Sequence, residues 1–426
     1  MPQSINTGPS LKREIAKQRP VQIFVFMKLS LSGSSLGILI LINLGTVLGL
    51  SGIDLILPYI PNFKEVFPGS SPADAQWIIA FYVLGTSAGL LLFSFLSDRF
   101  DAIRLFSASL LCFAAISLLC IFSTHIYELV AYRFLQGISS SGAAVLAPGL
   151  IRGFFSSQGA MRAVSIMGSI ESMVPAFAPL AGAYLADQFG WESSFLLTAI
   201  SSLIVSLFLF TLQRKTGNTA KQKTIDSKKR TYKELFTNFL FLRYALSHVG
   251  VLGGLLIFVF SAPNLIVTYK KGAIDSFILL QILSVFTFFT FAQTSSYFVK
   301  KFGSEAVIVA GTTFASLSAV LFLVGAFFRL DDPVYLICYF VPINIGLGLR
   351  GGTGFVSALI AAGDNDARGS AFMILAVTLL SGGITGILSP FLEQGLGPIA
   401  IAMSLVVFPS MALVLIRKEI VVPTTG

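Results

Sequence analysis

The chain has 426 residues, of which 55% are hydrophobic and 12% charged, with a formal net charge of +9 and a mean hydropathy of +0.84. Soluble domains carry about 25% charged residues, so the composition excludes a soluble globular protein and describes a polytopic membrane protein. The basic excess lies mainly in hydrophilic gaps between apolar runs, where it sets membrane orientation, and nucleic acid is not expected as a partner.

Runs of about 20 apolar residues, the length that crosses a bilayer, predict twelve spans: 35–58, 75–96, 104–124, 127–150, 163–186, 192–212, 244–268, 276–298, 305–328, 333–358, 367–390 and 396–416. A polar, basic segment divides them into two sixes. The expected organisation is an all-α protein with a tail over 1–34, a six-helix half over 35–213, a basic linker over 214–240, a second six-helix half over 241–416 and a tail over 417–426. With both termini inside, the inner segments hold 23 Lys and Arg, and the outer loops hold only Lys64, Lys270, Lys271 and Arg329. That bias fixes the expected topology. The stretch Val21–Met27 is apolar but short and is followed by Lys28, so no secretory signal is read there. Short basic loops after spans 2 and 8, Ser97–Asp101 and Val299–Gly303, form a faint repeat between the halves. Repeated halves with a site between them are a common transporter design.

Ionisable residues inside spans mark functional candidates, because each is costly at membrane depth. Asp54 in span 1 lies about 6 Å from the outer end, and Arg133 in span 4 lies at a similar depth. A direct or water-bridged pair is geometrically open, with Asp54 taking up and releasing a proton; the alternative is a static contact that locks helices. Glu171 in span 5 shares a face with Gly168, Pro175, Pro179 and Gly182. It reads as a second protonation site, a cation-recognising carboxylate or a polar residue without a role. Arg350 in span 10 binds an anionic substrate group, pairs with Glu171 across the halves, or snorkels to the inner headgroups; snorkelling is slightly favoured. His248 in span 7 is a weaker candidate for substrate contact or proton relay. Among the 40 Phe, a few on a cavity face would suit a bulky apolar or cationic substrate.

Cys112, Cys120 and Cys338 lie in apolar runs and read as buried, inert thiols. No paired His and Cys form a metal cluster, and no G-x-x-x-x-G-K-[ST] phosphate loop occurs. No cofactor, metal or enzymatic activity is expected.

Several of these stretches together resemble the major facilitator superfamily, and within it the drug:proton antiporters of the bicyclomycin/chloramphenicol-resistance type. Asp54 with Leu57-Pro58 and Ile60-Pro61 is similar to the acidic end of span 1 in that group. Ser94–Phe100 resembles the loop pattern G-x-L-x-D-R-x-G-R-[KR], keeping Asp98 and Arg99 while Ser94, Asp101 and Ala102 depart from it; Arg104 replaces part of the lost charge. Arg133-Phe134-Leu135-Gln136-Gly137 is similar to the R-x-x-Q-G motif of span 4. Pro175, Ala178-Pro179, Gly182 and Gly190-Trp191 resemble the proline-rich span 5 and its exit. The resemblance implies Asp54 and Arg133 in proton coupling, and Asp98, Arg99 and Arg104 in a conformational latch; Glu171 departs from the family's glycine-dense span 5 and is a proton-coupling candidate from its own position. It also implies Gln136, Gly137, Pro175, Pro179 and Gly182 in packing and gating. The leading expectation is a proton-coupled exporter of drugs or small organic molecules, a monomer in a bacterial inner membrane, with lipid, protons and a small-molecule substrate as partners. The alternative is a dedicated metabolite or siderophore (carboxylate) carrier. A non-transporting receptor on the same fold ranks last.

Overall fold

The computed structural model describes residues 33–155, 157–216, 232–269, 274–330, 332–363 and 366–416. The expected tails and the basic run over 217–231 lie outside the described residues. Within them the chain is helical throughout. The main helices are α1 (Gly33–Asp54), α2 (Pro72–Ser97), α3 (Ala102–Ile121), α4 (Ile126–Phe154), α5 (Ser157–Glu171), α6 (Val174–Phe189) and α7 (Glu192–Thr216). They continue with α8 (Phe239–Pro263), α9 (Ile274–Phe302), α10 (Ser304–Phe328), α11 (Pro333–Ala362), α12 (Asp366–Leu388) and α13 (Leu396–Leu415).

Eleven helical runs among the described residues are long and apolar enough to cross a membrane. The fifth expected span is instead split into α5 and α6. The cause is local. Pro175 has no amide hydrogen, so the Glu171 carbonyl loses its i+4 donor. Met173 turns back to the Ile170 carbonyl at 3.0 Å, three residues away, and the ladder breaks. Span 1 also ends earlier than expected. The helix stops at Asp54, and Leu57–Asn62 forms a 3₁₀ turn holding Pro58 and Pro61.

Elsewhere the starts are built by capping. The Ser71 hydroxyl accepts from the Asp74 amide at 3.2 Å, and the Asp74 carboxylate accepts from the Ser71 amide at 2.7 Å, with Pro72 opening α2. Asp101 caps α3 by accepting from the Arg104 amide at 3.0 Å. Asn238 caps α8 by accepting from Phe241 at 3.1 Å.

Helix alternation places the connections at Asp98–Asp101, Phe155 and Gly303 at one end of the bundle, here the basic end. The connections at Phe67–Ser71, Gly190–Trp191 and Arg329 lie at the other, charge-poor end. α1–α7 pack mainly among themselves, as do α8–α13; the principal contact between the two groups is α2 against α12, followed by α6 against α9. α2 and α4 cross in close contact. A Cβ at Gly85 would overlap the Phe134 backbone, and one at Gly137 would overlap the Tyr82 carbonyl. Small residues at these points let the helices touch.

The expectation of three buried thiols is corrected. Cys120 is buried, but Cys112 and Cys338 are exposed on the outside of the bundle. In a membrane protein an apolar run has a lipid face as well as a core face, so hydropathy does not report burial within the protein.

Candidate functional site

The R-x-x-Q-G stretch forms one bonded cluster. Arg133 and Gln136 are fully buried. An Arg133 Nη1 donates to the Gln136 Oε1 at 2.6 Å and to the Gly52 carbonyl at 2.9 Å, and Nε donates to the Ile78 carbonyl at 3.4 Å. Gln136 Nε2 donates to the Ser117 hydroxyl of α3 at 2.6 Å. The guanidinium lies 4.1 Å from the Tyr82 ring centroid, and the Tyr82 hydroxyl donates to the Gly49 carbonyl at 2.6 Å. The cluster thus draws α1, α2, α3 and α4 together, and Gly137 beside it permits the close approach of α2.

Asp54 is buried at 8% exposure, at the end of α1 where the helix breaks. It makes no ion pair and no side-chain hydrogen bond among the described residues. Of the arrangements left open, the direct pair with Arg133 is not formed: the arginine is tied to the main chain two residues before the acid. Gly182 of α6 packs on the backbone of Leu55, immediately after Asp54. Pro179 is buried in α6, and Pro175 sits in its first turn.

Glu171 ends α5 at the split and meets the Thr46 side chain of α1. It forms no pair with Arg350, which lies in the other half. Arg350 does not snorkel either. It is fully buried, with Nη1 donating to the Ser247 carbonyl at 2.8 Å and the Thr312 hydroxyl at 3.0 Å, and Nη2 to the Ser247 hydroxyl at 2.9 Å. Gly311 and Gly354 pack against its side chain. His248 follows Ser247 on α8. Its ring packs edge-on to Phe355 at 5.6 Å, and Nδ1 is buried without a partner.

Asp98, Arg99 and Arg104 are exposed at the basic end. Arg99 stacks over Phe95 at 4.2 Å, and none of the three makes an ion pair among the described residues. The structure thus brings Arg133, Gln136 and Gly137 together, with Asp54 nearby, and leaves the latch residues without an ion pair among the described residues.

Two polar groups escaped the sequence reading. One pins α8 to α10 and α13: Arg243 forms an ion pair with Glu305 at 2.8 Å and donates to the Leu413 and Val414 carbonyls, while Tyr244 also bonds Glu305. By sequence, Arg243 is one of the inner basic residues that set the topology. The other joins the two groups of helices. Gln76 Nε2 donates to the Phe260 carbonyl at 2.8 Å, and Asn264 Nδ2 donates to Gln76 Oε1 at 2.9 Å. Ser389 donates to the Ala73 carbonyl, and Ser87 donates to the Thr378 hydroxyl at 2.7 Å. Polar residues within apolar runs were the available signal. From Ser87 towards the basic end, α2 and α12 part. A cleft of about 530 Å³ opens there, lined by Leu90, Ser94, Pro148, Leu359, Ser370 and Phe372 among others.

A family model described as Major Facilitator Superfamily matches residues 23–415. The chain belongs to the major facilitator superfamily. Relatives in this superfamily include the efflux pump radE of Floropilus chiversii, 26% identical over 42% of this chain and 33% of that one. Another is the chloramphenicol resistance protein CraA of Acinetobacter baumannii, 28% identical over 52% of this chain and 53% of that one. The bicyclomycin resistance protein homolog of Haemophilus influenzae is 22% identical over 70% and 73%. The matches thus span about a third to a half of the length of the first two relatives. Two solved structures share the superfamily fold. The D-xylose–proton symporter gives a TM-score of 0.63 at 16% identity, over 88% of this chain and 97% of that one. A bacterial homolog of the human lysosomal transporter Spinster, inward-facing and unoccupied, gives 0.62 at 16% identity, over 90% and 95%.

Proposed function

We propose that the chain is a proton-coupled transporter that exports small organic molecules by alternating access. The observation that carries this reading is the asymmetry of the seam between α2 and α12, bonded at the charge-poor end and parted around a cleft at the basic end. The two halves, 35–213 and 241–416, rock about this seam and expose the cleft alternately to either side. The basic end faces the cytoplasm of a bacterium, with both termini on that side, and the protein works as a monomer in the inner membrane. The named activities of the radE and CraA relatives support efflux of drug-like molecules.

Asp54 carries the proton. It is a buried carboxyl with no cation bound to it, at a break in α1 whose backbone Arg133 holds in place. Glu171 is a second polar contact for proton or substrate at the split between α5 and α6. Asp98, Arg99 and Arg104, exposed and without an ion pair among the described residues in this arrangement, form the latch when the basic end closes. The energetics suffice: one charge crossing 100 mV supplies about 2.3 kcal/mol, enough for a roughly 50-fold gradient.

A second reading, a carrier dedicated to a carboxylate, is favoured by Arg350, whose buried guanidinium has no carboxylate partner and an unpartnered Nε. Inside-out vesicles with a respiration-driven pH gradient and a fluorescent pH probe separate the two. Dissipation by several unrelated compounds, lost in Asp54→Asn, is the expected result. A response confined to carboxylates, lost in Arg350→Met, would select the second reading. Proton-driven transport preserved in Asp54→Asn would remove Asp54 from the mechanism.

A further inference from the structure

Gln76 and Asn264 are both fully buried, yet they belong to opposite halves and lie 188 residues apart in sequence. Their placement has a local cause. Pro263 closes α8 and supplies no amide hydrogen. The following amide, of Asn264, turns to the Ser261 carbonyl three residues back, and Asn264–Tyr269 continues as a π-helix. The Phe260 carbonyl is thereby released from its regular i+4 donor, at membrane depth, where water cannot replace it. Gln76 of α2 supplies the missing donor at 2.8 Å. Its carbonyl oxygen accepts in turn from Asn264 at 2.9 Å, and Asn264 also reaches the Pro72 carbonyl at 3.3 Å. At this end the Gln76 amide and the Asn264 Nδ2 are thus bonded directly across the halves.

We infer that Gln76 and Asn264 are positioning residues of the transport cycle: a clasp across the halves that sets how readily the charge-poor end opens. This inference rests on the alternating-access reading. Parting the halves admits water, which takes over the same donors and acceptors. The clasp is therefore reversible, and its loss shifts an equilibrium without leaving a permanently bare polar group. Shape alone would not do this. An apolar side chain at either position keeps the seam packed and removes only the hydrogen bonds.

The experiment is pulsed electron-electron spin resonance on a protein whose three cysteines are replaced by serine. Spin labels go at Lys64→Cys and Glu393→Cys to report the charge-poor end. A second pair, Phe100→Cys and Lys301→Cys, reports the basic end. All four positions are exposed. Gln76→Met and Asn264→Leu are compared with the parent at high and low pH, after a monodisperse elution profile shows that each is folded. If one is not, Ser389→Ala at the same seam replaces it. Each variant should raise the ratio of open to closed charge-poor end by about tenfold, the equivalent of one or two hydrogen bonds, with the basic-end distance shortening in step. Folded variants with the parent's distance distributions would overturn the clasp while leaving alternating access intact, provided the parent's two ends exchange. A parent with one fixed distance at each end under all conditions would overturn both.

Discussion

Arg133 donates to the main-chain carbonyl of Gly52 at 2.9 Å and leaves the carboxylate of Asp54, two residues further on, without a partner among the described residues. The charge that the membrane makes costly is thus placed against backbone and amide oxygens through Nε and Nη1, with Nη2 buried and unpartnered, and not on the nearest acid. Asp54 is left as a bare acid beside a helix end whose geometry Arg133 controls.

That arrangement makes the two residues interdependent. A lysine at 133 offers a single ammonium where the planar guanidinium engages Gly52 and Gln136 together. Arg133→Lys should therefore stay folded and lose about tenfold or more in proton-driven transport, since hydrogen bonds of a charged group are each worth about 1.5–3 kcal/mol. Asp54→Asn should abolish coupling, and the double variant should be no worse than Asp54→Asn alone. A double-mutant cycle on vesicle transport checks this. Additive losses would mean that the two act separately.

The α2–α4 crossing gives a contrast among glycines. A Cβ at Gly137 would overlap the Tyr82 carbonyl, whereas one at Gly383 in α12 meets nothing within 4 Å. Gly137→Ala should destabilise the protein by about 1–3 kcal/mol through overpacking against backbone. Gly383→Ala should be neutral or stabilising by up to about 1 kcal/mol. Thermal unfolding in detergent micelles orders the two, and equal melting temperatures would contradict the crossing geometry.

How much of this was legible in the sequence differs by residue. Eleven of the twelve spans were, because a bilayer demands an apolar run of fixed length; the fifth is divided among the described residues. Depth was legible too: counting residues put Asp54 and Arg133 at one level. The direction around the helix axis was not. Arg133 points to Gly52, Gln136 and Tyr82, and Arg350 to Ser247 and Thr312, for reasons of packing between helices distant in sequence. The prolines at 58 and 175 were visible, but their effect, ending α1 at Asp54 and dividing span 5, depends on how the freed carbonyls are satisfied. Gln76 and Asn264 were single polar residues in apolar runs, and only the meeting of the halves gives them a partner.

The two buried arginines of the second half should respond differently to loss of their partners. Arg243 is 3% exposed and depends on a carboxylate; Glu305→Ala should lower stability by about 2 kcal/mol. Arg350 is bonded to Ser247 and Thr312, whose hydroxyls also donate within their own helices, to the Tyr244 and Ile308 carbonyls. Arg350→Met, close in volume and without a charge to bury, should change stability by less than about 2 kcal/mol. Melting curves of the two variants provide the check. A collapse of Arg350→Met alone would show that its charge, and not its bulk, holds α8, α10 and α11 together.

The division of span 5 bears on how the protein is made. α5 has 15 residues and α6 has 16, each rising about 22–24 Å, against a hydrocarbon core of about 30 Å. Neither piece is long enough to partition into lipid on its own. α1 and α4, whose faces this region covers, precede it in the chain and emerge first, so the short pieces meet a packing surface as they are made and enter the membrane against protein instead of lipid alone.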